Sequence, residues 1–526
     1  MKSKCLWLCL LAMLLVSAAC GESDERKAQR AADMVAAAEK HYGFGEFDKV
    51  AELCDQAIEL DGSNSKAYAL RSRLRARQGK FSEAEADIRK WSELAPQDPQ
   101  SLVALARLQS SLGDDKAALE SARAGLKLAD GDTTTKGWVL WFRILNDDEK
   151  GVLQEGADLL RADKYCVPAH LAVSESLARR GDLRNAIQEA TAAGANDPAG
   201  EEAFLALGRA LVESGDYAAA RKEINTAIRN NEHGHRGRLL MASCEARAGK
   251  LEAAQSALES ASGAPETLKV PLAAASAEVA FAAGKNDDAL KHIDAVLAAQ
   301  PRHERMIELR AAIRMRTGDI AKGISELDAS IKAAPCAEAH VQRCLLRLVR
   351  GDLNGAYEDA RAALKLEPKR QSVKLAQGHA SRATNRGAEA MNAYSVAFSL
   401  PPRSWLARAG HMATRASAVK DPAEAELERK RVAEDMEGAI SDALGELEQS
   451  QNRARDHYGI ACLFALAIDM QILDPQAKWN RAARIEQALA HLKKAREAGY
   501  DNRAWWDYDP NLAALRDEPQ FKQLWQ

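Results

Sequence analysis

A glycine, or a small polar residue in its place, recurs along this chain at an almost constant interval of 34 residues. The eleven positions are Gly45, Gly79, Gly113, Asp147, Gly181, Gly215, Gly249, Gly284, Gly318, Gly351 and Asn385. A period of this length predicts an array of stacked units, each of which buries its apolar face against its neighbours instead of in one central core. Stacked arrays expose long binding surfaces, so the period bears on function as well as on fold.

Other residues keep fixed distances from each of these turn positions. Seven residues before the turn the side chain is small, as at Ala38 and Ala106, and Leu140 is the one large exception. Five residues after the turn alanine predominates, and seventeen after it six units carry proline, from Pro96 to Pro402. Proline cannot continue a helix, and glycine suits the left-handed residue that ends one. Each unit therefore predicts a helix, a tight turn, a second helix and a loop.

The arrangement resembles the tetratricopeptide repeat, whose signature places a small residue, a turn glycine, an alanine and a proline at these offsets. The unit that contains Ala203 to Gly208, followed by Gly215 and Ala220, matches best. The resemblance covers residues 34–402 as about eleven repeats. It implies an all-α fold, a solenoid of antiparallel helix pairs stacked in a superhelix. The unit around Asp147 lacks the turn glycine and has Gly156 in its second helix, so we expect a distorted repeat there.

The period is lost after the eleventh unit. Residues 403–450 predict a divergent helical pair in which Ala423 to Leu447 forms one longer helix. Residues 451–526, with Tyr458 to Cys462 and Asp509 to Leu512, resemble the terminal module that closes some bacterial tetratricopeptide arrays. Large rings in this module suit the covering of an exposed end, and an aromatic ligand site is the alternative. These rings are Trp505, Trp506, Tyr508, Phe521 and Trp525.

The N-terminus predicts export. A basic start, an apolar stretch over 6–16 and the small residues Ser17 to Ala19 are typical of a signal peptide, residues 1–19. Cleavage there would leave Cys20 first, which resembles the bacterial lipoprotein signal and implies lipidation of Cys20, with a polar tether over 20–33. Plain secretion is the alternative, because Ser17 stands where that motif prefers a larger residue. The expected location is the cell envelope, on the periplasmic face of the outer membrane.

Composition and motifs exclude several classes of function. The 73 basic and 76 acidic residues nearly cancel, which predicts no nucleic-acid partner. Phosphate-binding, metalloprotease and serine-hydrolase motifs are missing from the sequence, and His233 and His235 lack a third ligand. We therefore predict no cofactor and no metal site. Six cysteines lie beyond the export signal, and whether Cys166 and Cys336 form disulfides is left open.

The resemblance also implies where a ligand would lie. In tetratricopeptide arrays the first helix of each pair lines a concave groove, with side chains thirteen, ten, six and three residues before the turn exposed there. Arg73, Arg107 and Arg209 share the offset of six, and such a ladder could hold carboxylates or phosphates or simply be solvated. Other groove candidates are Arg305 and an apolar strip suited to a helix or extended peptide. The strip comprises Val341, Leu345 and Leu348.

These observations predict a non-enzymatic envelope lipoprotein scaffold that binds a protein or peptide partner in the groove. The membrane would be contacted only through the N-terminal lipid. An alternative is an accessory subunit of an envelope enzyme or of an export or polysaccharide-secretion machine. A third hypothesis is an enzyme with an unrecognised site in residues 403–450 or in the terminal module. The partner's identity and the oligomeric state do not follow from the sequence.

Overall fold

The computed structural model of the chain describes residues 23–400, 403–419, 421–449, 453–470, 481–497, 500 and 502–524. Within these ranges all regular secondary structure is helical, so the predicted all-α fold is confirmed. The residues group into two compact units. Unit 1 comprises the described residues up to Asp148 together with 230–234, and unit 2 comprises 149–229 and the described residues from His235 onward.

Unit 1 consists of helix pairs joined by short turns. Its helices are α1 (Asp24–Gly43), α2 (Phe47–Leu60), α3 (Ser65–Arg77), α4 (Phe81–Leu94), α5 (Pro99–Ser111), α6 (Asp115–Leu128) and α7 (Thr133–Leu145). Polar caps set several of their starts: the Asn64 side chain accepts from the amide of Ala67, and the Asp98 side chain accepts from that of Gln100.

Unit 2 continues the same alternation and ends in the terminal module. Its paired helices are α8 (Val152–Ala162), α9 (Val167–Arg179), α10 (Leu183–Asn196), α11 (Glu201–Ser214), α12 (Tyr217–Asn230), α13 (Arg236–Arg247), α14 (Leu251–Glu259), α15 (Lys269–Ala282), α16 (Asn286–Ala299), α17 (Glu304–Thr317), α18 (Ile320–Ala333), α19 (Ala337–Arg350), α20 (Leu353–Leu366), α21 (Gln371–Ala383) and α22 (Gly387–Ser399). They are followed by α23 (Trp405–Ala418), α24 (Pro422–Gln449), α25 (Arg453–Met470), α26 (Arg481–Glu497), α27 (Arg503–Tyr508) and α28 (Pro519–Gln523), with 3₁₀ segments at Glu266–Leu268 and Pro510–Leu515.

The turn between the two helices of a repeat is left-handed in all eleven predicted units. The nine glycines have φ between 72° and 90°. Asp147 and Asn385 replace glycine at the other two turns and still adopt φ of 61° and 59°. Asp and Asn are the residues that tolerate this conformation best after glycine. The prediction that a left-handed residue ends each first helix is thus confirmed.

Small residues let the two helices of a pair approach closely. A Cβ atom added at Gly208, seven residues before its turn, would lie 2.6 Å from Cγ1 of Ile224 on the second helix. The Tyr394 ring lies between Gly378, which is also seven residues before its turn, and Gly410 of α23, because a Cβ at either would come within 2.5 Å or 2.6 Å of it. At Gly208 and Gly378 of this column the packing thus leaves no room for a Cβ atom.

The first helices of consecutive pairs lie against one another. In unit 1, α1 contacts α3, and in unit 2 the contacts run from α9 to α11, to α13, to α15, to α17, to α19 and to α21. In unit 2 the exposed sides of these helices therefore form one surface, and in unit 1 those of α1 and α3 adjoin. We call the side chains thirteen, ten, six and three residues before the turn the inner face.

A buried carboxylate ties the two helices of some repeats together. Asp87, eight residues after its turn, is 3% exposed and accepts from Arg71 Nη2 at 2.8 Å and from Arg75 Nη1 at 2.7 Å. Arg71 also donates to Asp55 of the preceding repeat at 2.7 Å. Burial of a charge costs little when partners surround it in this way.

Unit 2 repeats the arrangement at the same offsets. Asp359 is 2% exposed and accepts from Arg343 Nη2 at 2.6 Å and from Arg347 Nη1 at 2.8 Å, while Arg343 reaches Asp328 of the preceding repeat at 2.6 Å. Burial raises the pKa of Asp359, but the hydrogen bonds and charges of its partners outweigh burial and lower it overall. The same arrangement of a buried aspartate and two arginines thus joins the paired helices of one repeat in each unit.

The N-terminal boundary differs from the expectation. Residues 20–33 were predicted to form a polar tether, but α1 begins at Asp24, so residues 24–33 are helical. The side chain of Ser23 accepts a hydrogen bond from the amide of Arg26, and Asp24 and Glu25 lie in the first turn, where acidic residues favour helix formation. Residues 1–22, with the predicted signal peptide and Cys20, lie outside the described residues, as do Pro402 and Trp525.

Candidate interaction surface

The arginines on the inner face of unit 2 are paired with carboxylates. Arg209 Nη1 donates to Glu175 Oε2 at 2.8 Å, and Arg179 Nε donates to the other oxygen of Glu175 at 3.2 Å. Burial raises the pKa of Glu175, but the charges of Arg209 and Arg179 outweigh burial and hold the pKa below its usual value. Glu175 is thus ionised at neutral pH and occupied by this chain's own cations.

A second ion pair links the next two repeats, between residues two positions before their turns. Arg247 Nη1 donates to Glu213 Oε1 at 2.6 Å across a separation of 34 residues, which is also the separation of Arg209 from Glu175. Both partners of each link hold the same offset from their turns. Equivalent side chains of neighbouring repeats therefore touch at two offsets in this part of unit 2, six and two residues before the turn.

Arg305 is also neutralised. Its Nε donates to Glu278 Oε1 at 3.0 Å and its Nη1 to Glu308 Oε2 at 2.9 Å. Arg455 of α25 donates to the second oxygen of Glu308 at 2.8 Å. Burial raises the pKa of Glu308, but Arg305 and Arg455 outweigh it and lower the pKa to about 2.

Further along unit 2 the carboxylates outnumber the arginine they surround. Arg370 Nη1 donates to Glu304 at 2.6 Å and to Glu367 at 3.0 Å, and Glu338 lies 3.8 Å from Nη2. Burial raises the pKa of Glu304 and of Glu338, and Arg370 only partly opposes this effect. The carboxylates at this end of the inner face are therefore less fully compensated by cations than Glu175 is.

The apolar strip is covered by the chain itself. Val341 is 2% exposed and Leu348 fully buried, while Leu345 is half-buried. All three belong to, or pack on, the apolar cluster that contains Trp505 and Trp506 of the terminal module. The expectation of a strip open to a peptide is corrected here, because two of its three residues are buried and the terminal module packs on the same helix, α19.

Particular contacts place the terminal module on the first helices. Helix α27 contacts α17 and α19, and the Asn502 amide donates to the Met315 sulfur at 3.2 Å. From α21, Arg382 Nη1 donates to Asn511 Oδ1 at 2.6 Å, and the His379 ring lies 5.1 Å from Trp505. The module is thus packed against several repeats rather than only the last one.

The interior of the terminal module is a packed polar and aromatic core. Asp509 is fully buried and accepts from Tyr458 Oη at 2.6 Å and from the amide of Asn511 at 2.9 Å. Trp505, Trp506 and Phe521 are at most 4% exposed, and Tyr508 is half-buried. The described rings are therefore packing elements, which is the role expected of a cap and leaves them little surface for an aromatic ligand.

The inner-face arginines of unit 1 lie over aromatic rings. The exposed Arg73 guanidinium lies 4.5 Å from the centre of the Tyr42 ring, and that of Arg107 lies 4.8 Å from the Trp138 ring. On the same helix, the arginines that pair with a carboxylate are Arg71 and Arg75, both with Asp87. The ring of Tyr42 also meets that of Phe47 edge-on at 5.5 Å. Of the predicted arginine ladder, Arg73 and Arg107 in unit 1 thus lie over aromatic rings, and Arg209 in unit 2 pairs with a carboxylate.

Other candidate chemistry is sparse in the described part of the chain. The six described cysteines, Cys166 and Cys336 among them, form no disulfide with one another. The described residues contain no cluster of three or more histidine, cysteine or acidic side chains that could hold a metal ion. None of the described helices is long and apolar enough to cross a membrane.

Sequence reasoning found the arginines of the inner face but missed the ion pair of Glu213 and Arg247 beside them. Glu213 and Arg247 lie two residues before their turns, an offset outside the four that the resemblance implies. Alignment of all units on the turn would have revealed this column, because charged residues of alternating sign occur there at Arg179, Glu213 and Arg247.

Comparison with protein families agrees with the helix pairs. The sequence model of the tetratricopeptide repeat matches residues 205–265 and 275–340. These two segments are therefore similar in sequence to tetratricopeptide repeats. The helix pairs on either side share their turn geometry and small columns, so each unit is a stack of tetratricopeptide-like pairs and the predicted fold is confirmed. No curated protein sequence matches the chain.

Several solved structures resemble the tetratricopeptide array at low sequence identity. Yeast Tom70 aligns with 94% of this chain and 100% of its own at 16% identity and a TM-score of 0.36. The Cut9–Hcn1 hetero-tetramer of the APC/C aligns with 93% of this chain and 98% of its own at 12% identity and 0.42. A tetratricopeptide repeat protein from Parabacteroides merdae aligns with 54% of this chain and 99% of its own at 14% identity and 0.28. TM-scores below 0.5 leave the partner of the present protein open.

Proposed function

We propose that this protein is a non-enzymatic scaffold that binds a protein or peptide partner on the inner face of its tetratricopeptide repeats. One observation carries the proposal. Arg209 and Glu175, at the same offset in neighbouring repeats, touch at 2.8 Å, so the first helices of these repeats present one continuous surface. A continuous surface of this kind suits an extended or helical peptide better than a small molecule.

The buried polar core of the terminal module supports a structural role. Burial raises the pKa of the Cys462 thiol and of the Tyr458 hydroxyl well above their usual values, and Asp509 raises both further. Both groups are therefore protonated at neutral pH, whereas a nucleophile needs a lowered pKa. Asp509 itself is fully buried and hydrogen-bonded. Such groups support a packed cap rather than an enzyme site in this module.

We further propose that the protein is an envelope lipoprotein anchored through Cys20. The support is the sequence pattern alone: a basic start, an apolar stretch and small residues directly before Cys20. Several acyl chains on one residue would give stable anchoring, where one chain gives only marginal binding. The N-cap at Ser23 would start α1 three residues after the lipidated cysteine.

The experiment is in-cell cross-linking of the tagged protein, followed by mass spectrometry of the captured partner and of the mature N-terminus. The expected result is one enriched protein partner, with cross-links on first helices and an N-terminal peptide that starts at a lipidated Cys20. The control is Cys20→Ser, which should abolish the lipid and leave purified-protein binding unchanged. Cross-links confined to second helices would overturn binding on the inner face, and an unmodified N-terminus would overturn the lipoprotein proposal.

A further inference from the structure

The terminal module contacts inner-face positions of α17. Glu308 and Met315 lie ten and three residues before the turn at Gly318, which are two of the four offsets that define the inner face. Arg455 Nη2 donates to Glu308 Oε1 at 2.8 Å, and Asn502 Nδ2 donates to the Met315 sulfur at 3.2 Å. A segment of this chain therefore lies on α17 where the side chains of a partner would otherwise bind.

The module contacts inner-face positions of α21 in the same way. His379 and Arg382 lie six and three residues before the turn at Asn385. The Trp505 ring lies 5.1 Å from the His379 ring, and Arg382 Nη1 donates to Asn511 Oδ1 at 2.6 Å. Helix α27 also contacts α19, which lies between α17 and α21 in the array. The module thus binds across the first helices of three successive repeats.

A buried histidine lies at this contact. His379 is 6% exposed, and its ring meets the rings of Tyr394 and Trp505 edge-on at 5.4 Å and 5.1 Å. Tyr394 belongs to the repeat, whereas Trp505 belongs to the module. His379 is therefore enclosed from two sides, and one of these sides is covered only while the module is bound.

The surroundings of His379 favour its uncharged form. The titratable and charged groups that face it are Arg382 on its own helix, Tyr394 on α22 and Asp509 directly after α27. Burial lowers the pKa of His379 to about 4, and the charge of Arg382 lowers it further, while Asp509 only partly opposes them. Tyr394 Oη accepts from Arg382 and donates to His379 Nδ1 at 2.9 Å, so the unprotonated nitrogen has its partner.

We propose that the terminal module is an autoinhibitory segment, bound to the inner face of α17, α19 and α21, and that protonation of His379 releases it. At neutral pH the ring is uncharged and the module stays bound. In acid the ring takes up a proton, and the charge is stabilised by water far better than in the enclosed site beside Arg382. Release uncovers the inner face, and its effect on a partner rests on the proposed function, since this is the face that a peptide would use.

The expected size of the effect follows from linkage. The bound state takes up the proton less readily than the released state, so binding of the module is strongest above pH 6.5, the ordinary pKa of histidine, and weakens as pH falls toward about 4. The ratio of released to bound module should therefore rise by about thirtyfold between about pH 7.5 and about pH 5.

The test is amide hydrogen exchange of the purified full-length protein at these two pH values, with exchange times corrected for the intrinsic effect of pH. At the lower pH, protection in α27 and in the 3₁₀ segment Pro510–Leu515 should fall by up to about thirtyfold, while protection in unit 1 should persist. His379→Gln should abolish this response, because an amide does not titrate and can still accept from Tyr394. The matched control is His292→Gln on α16, a second helix of the same unit, which should keep the response.

A second variant tests release without altering the histidine. Asn502→Ala removes the contact with Met315 on α17, whereas His379 lies on α21. Because protonation and release are linked, a weaker contact should raise the pH at which exchange in α27 begins to accelerate. Circular dichroism checks that each variant is folded. If His379→Gln does not fold, Asn502→Ala alone decides, and an exchange profile identical to that of the unmodified protein would overturn the proposal.

The outcomes separate this inference from the proposed function. Unchanged protection of α27 in acid, or an equal loss in unit 1 that marks general unfolding, would overturn release of the module. An acid response that His379→Gln leaves intact would overturn the role of His379. These measurements use the protein alone, so each such result would leave the scaffold proposal standing. If release occurs but cross-linking in cells enriches no partner, the scaffold proposal fails and the release remains.

Discussion

Unit 1 and unit 2 place equivalent arginines on their inner faces but give them different neighbours. Arg209 in unit 2 touches Glu175 one repeat away, whereas Arg73 in unit 1, at the same offset, lies over the ring of Tyr42. The offset fixes which side of the helix a side chain takes. Both arginines have a glutamate 34 residues earlier in the sequence, Glu175 for Arg209 and Glu39 for Arg73, so the residue type at that offset does not by itself decide whether the arginine pairs with it.

The two units also differ in what covers the inner face. In unit 2 the terminal module contacts α17 and α19, and Val341 and Leu348 of α19 are buried. Unit 1 has its exposed aromatic residue, Phe44, at a turn beside the inner face. A long array therefore need not offer a uniform groove, because its own terminal segment can use part of it.

The largest effect should come from loosening the terminal module. Trp506 is fully buried, so Trp506→Ala should lower the free energy of unfolding of unit 2 by about 3–5 kcal/mol through lost burial and a cavity. Amide hydrogen exchange in α19 should accelerate, because the module no longer covers Val341 and Leu348, while exchange in unit 1 should not change. Leu427→Ala is the control, since Leu427 is 52% exposed. Unchanged protection in α19 would show that the strip is buried without the module.

Two inner-face glutamates of unit 2 should respond to pH in opposite directions. The pKa of Glu175 is lowered in the folded protein, so its contribution to stability is present above its unfolded pKa and is lost as pH falls through the folded value. Glu175→Gln should therefore destabilise unit 2 by about 2 kcal/mol at neutral pH and flatten the loss of stability in acid. Denaturant unfolding between about pH 3 and pH 8 measures both effects.

Glu338 should show the reverse dependence. Burial raises its pKa, so the folded state binds the proton more tightly than the unfolded chain and stability falls as pH rises through the raised pKa. Glu338→Gln should therefore leave unit 2 equally stable or more stable at neutral pH, because the amide can keep the hydrogen bond with Gln342. A loss similar to that of Glu175→Gln would mean that the contact with Arg370 outweighs burial.

The smallest effects should separate the two units most directly. Arg209→Gln removes a partner of the buried Glu175 and should cost unit 2 about 1 kcal/mol. Arg73→Gln removes only an exposed stacking contact and should change the stability of unit 1 by less than about 0.5 kcal/mol. Thermal unfolding of the two variants compares them. Equal losses would show that Arg73 is a structural residue and that the units do not differ in this respect.

The sequence was sufficient for the repeat fold because each repeat is defined by local rules. The left-handed turn, including Asp147 and Asn385, follows from the spacing, and so does the small column at Gly208 and Gly378. The ion clusters at Asp87 and Asp359 were visible in principle, since an acid eight residues after the turn and arginines four and eight before it recur in both repeats. Helix α1 was signalled by Ser23 and the acidic residues after it, but the same residues suited a polar tether.

The covering of Val341 and Leu348 could not be predicted in this way. A repeat offset assigns a residue to a face and contains no information on what else packs there. The covering residues, such as Trp505, lie more than a hundred positions further along the chain and follow no repeat period. For the same reason the arginine ladder could be located from the sequence, but the partners of Arg305 could not. One of these partners, Glu308, also accepts a hydrogen bond from Arg455 of α25.

The ion pairs that join neighbouring repeats have a mechanical consequence. Glu175 with Arg209 and Glu213 with Arg247 each bridge one repeat to the next, so a force that pulls the first helices of these repeats apart would load the two links in series. Links in series carry the same tension, and the weaker one opens first. Under load this part of unit 2 should therefore lengthen in steps, each of which separates one repeat from the next.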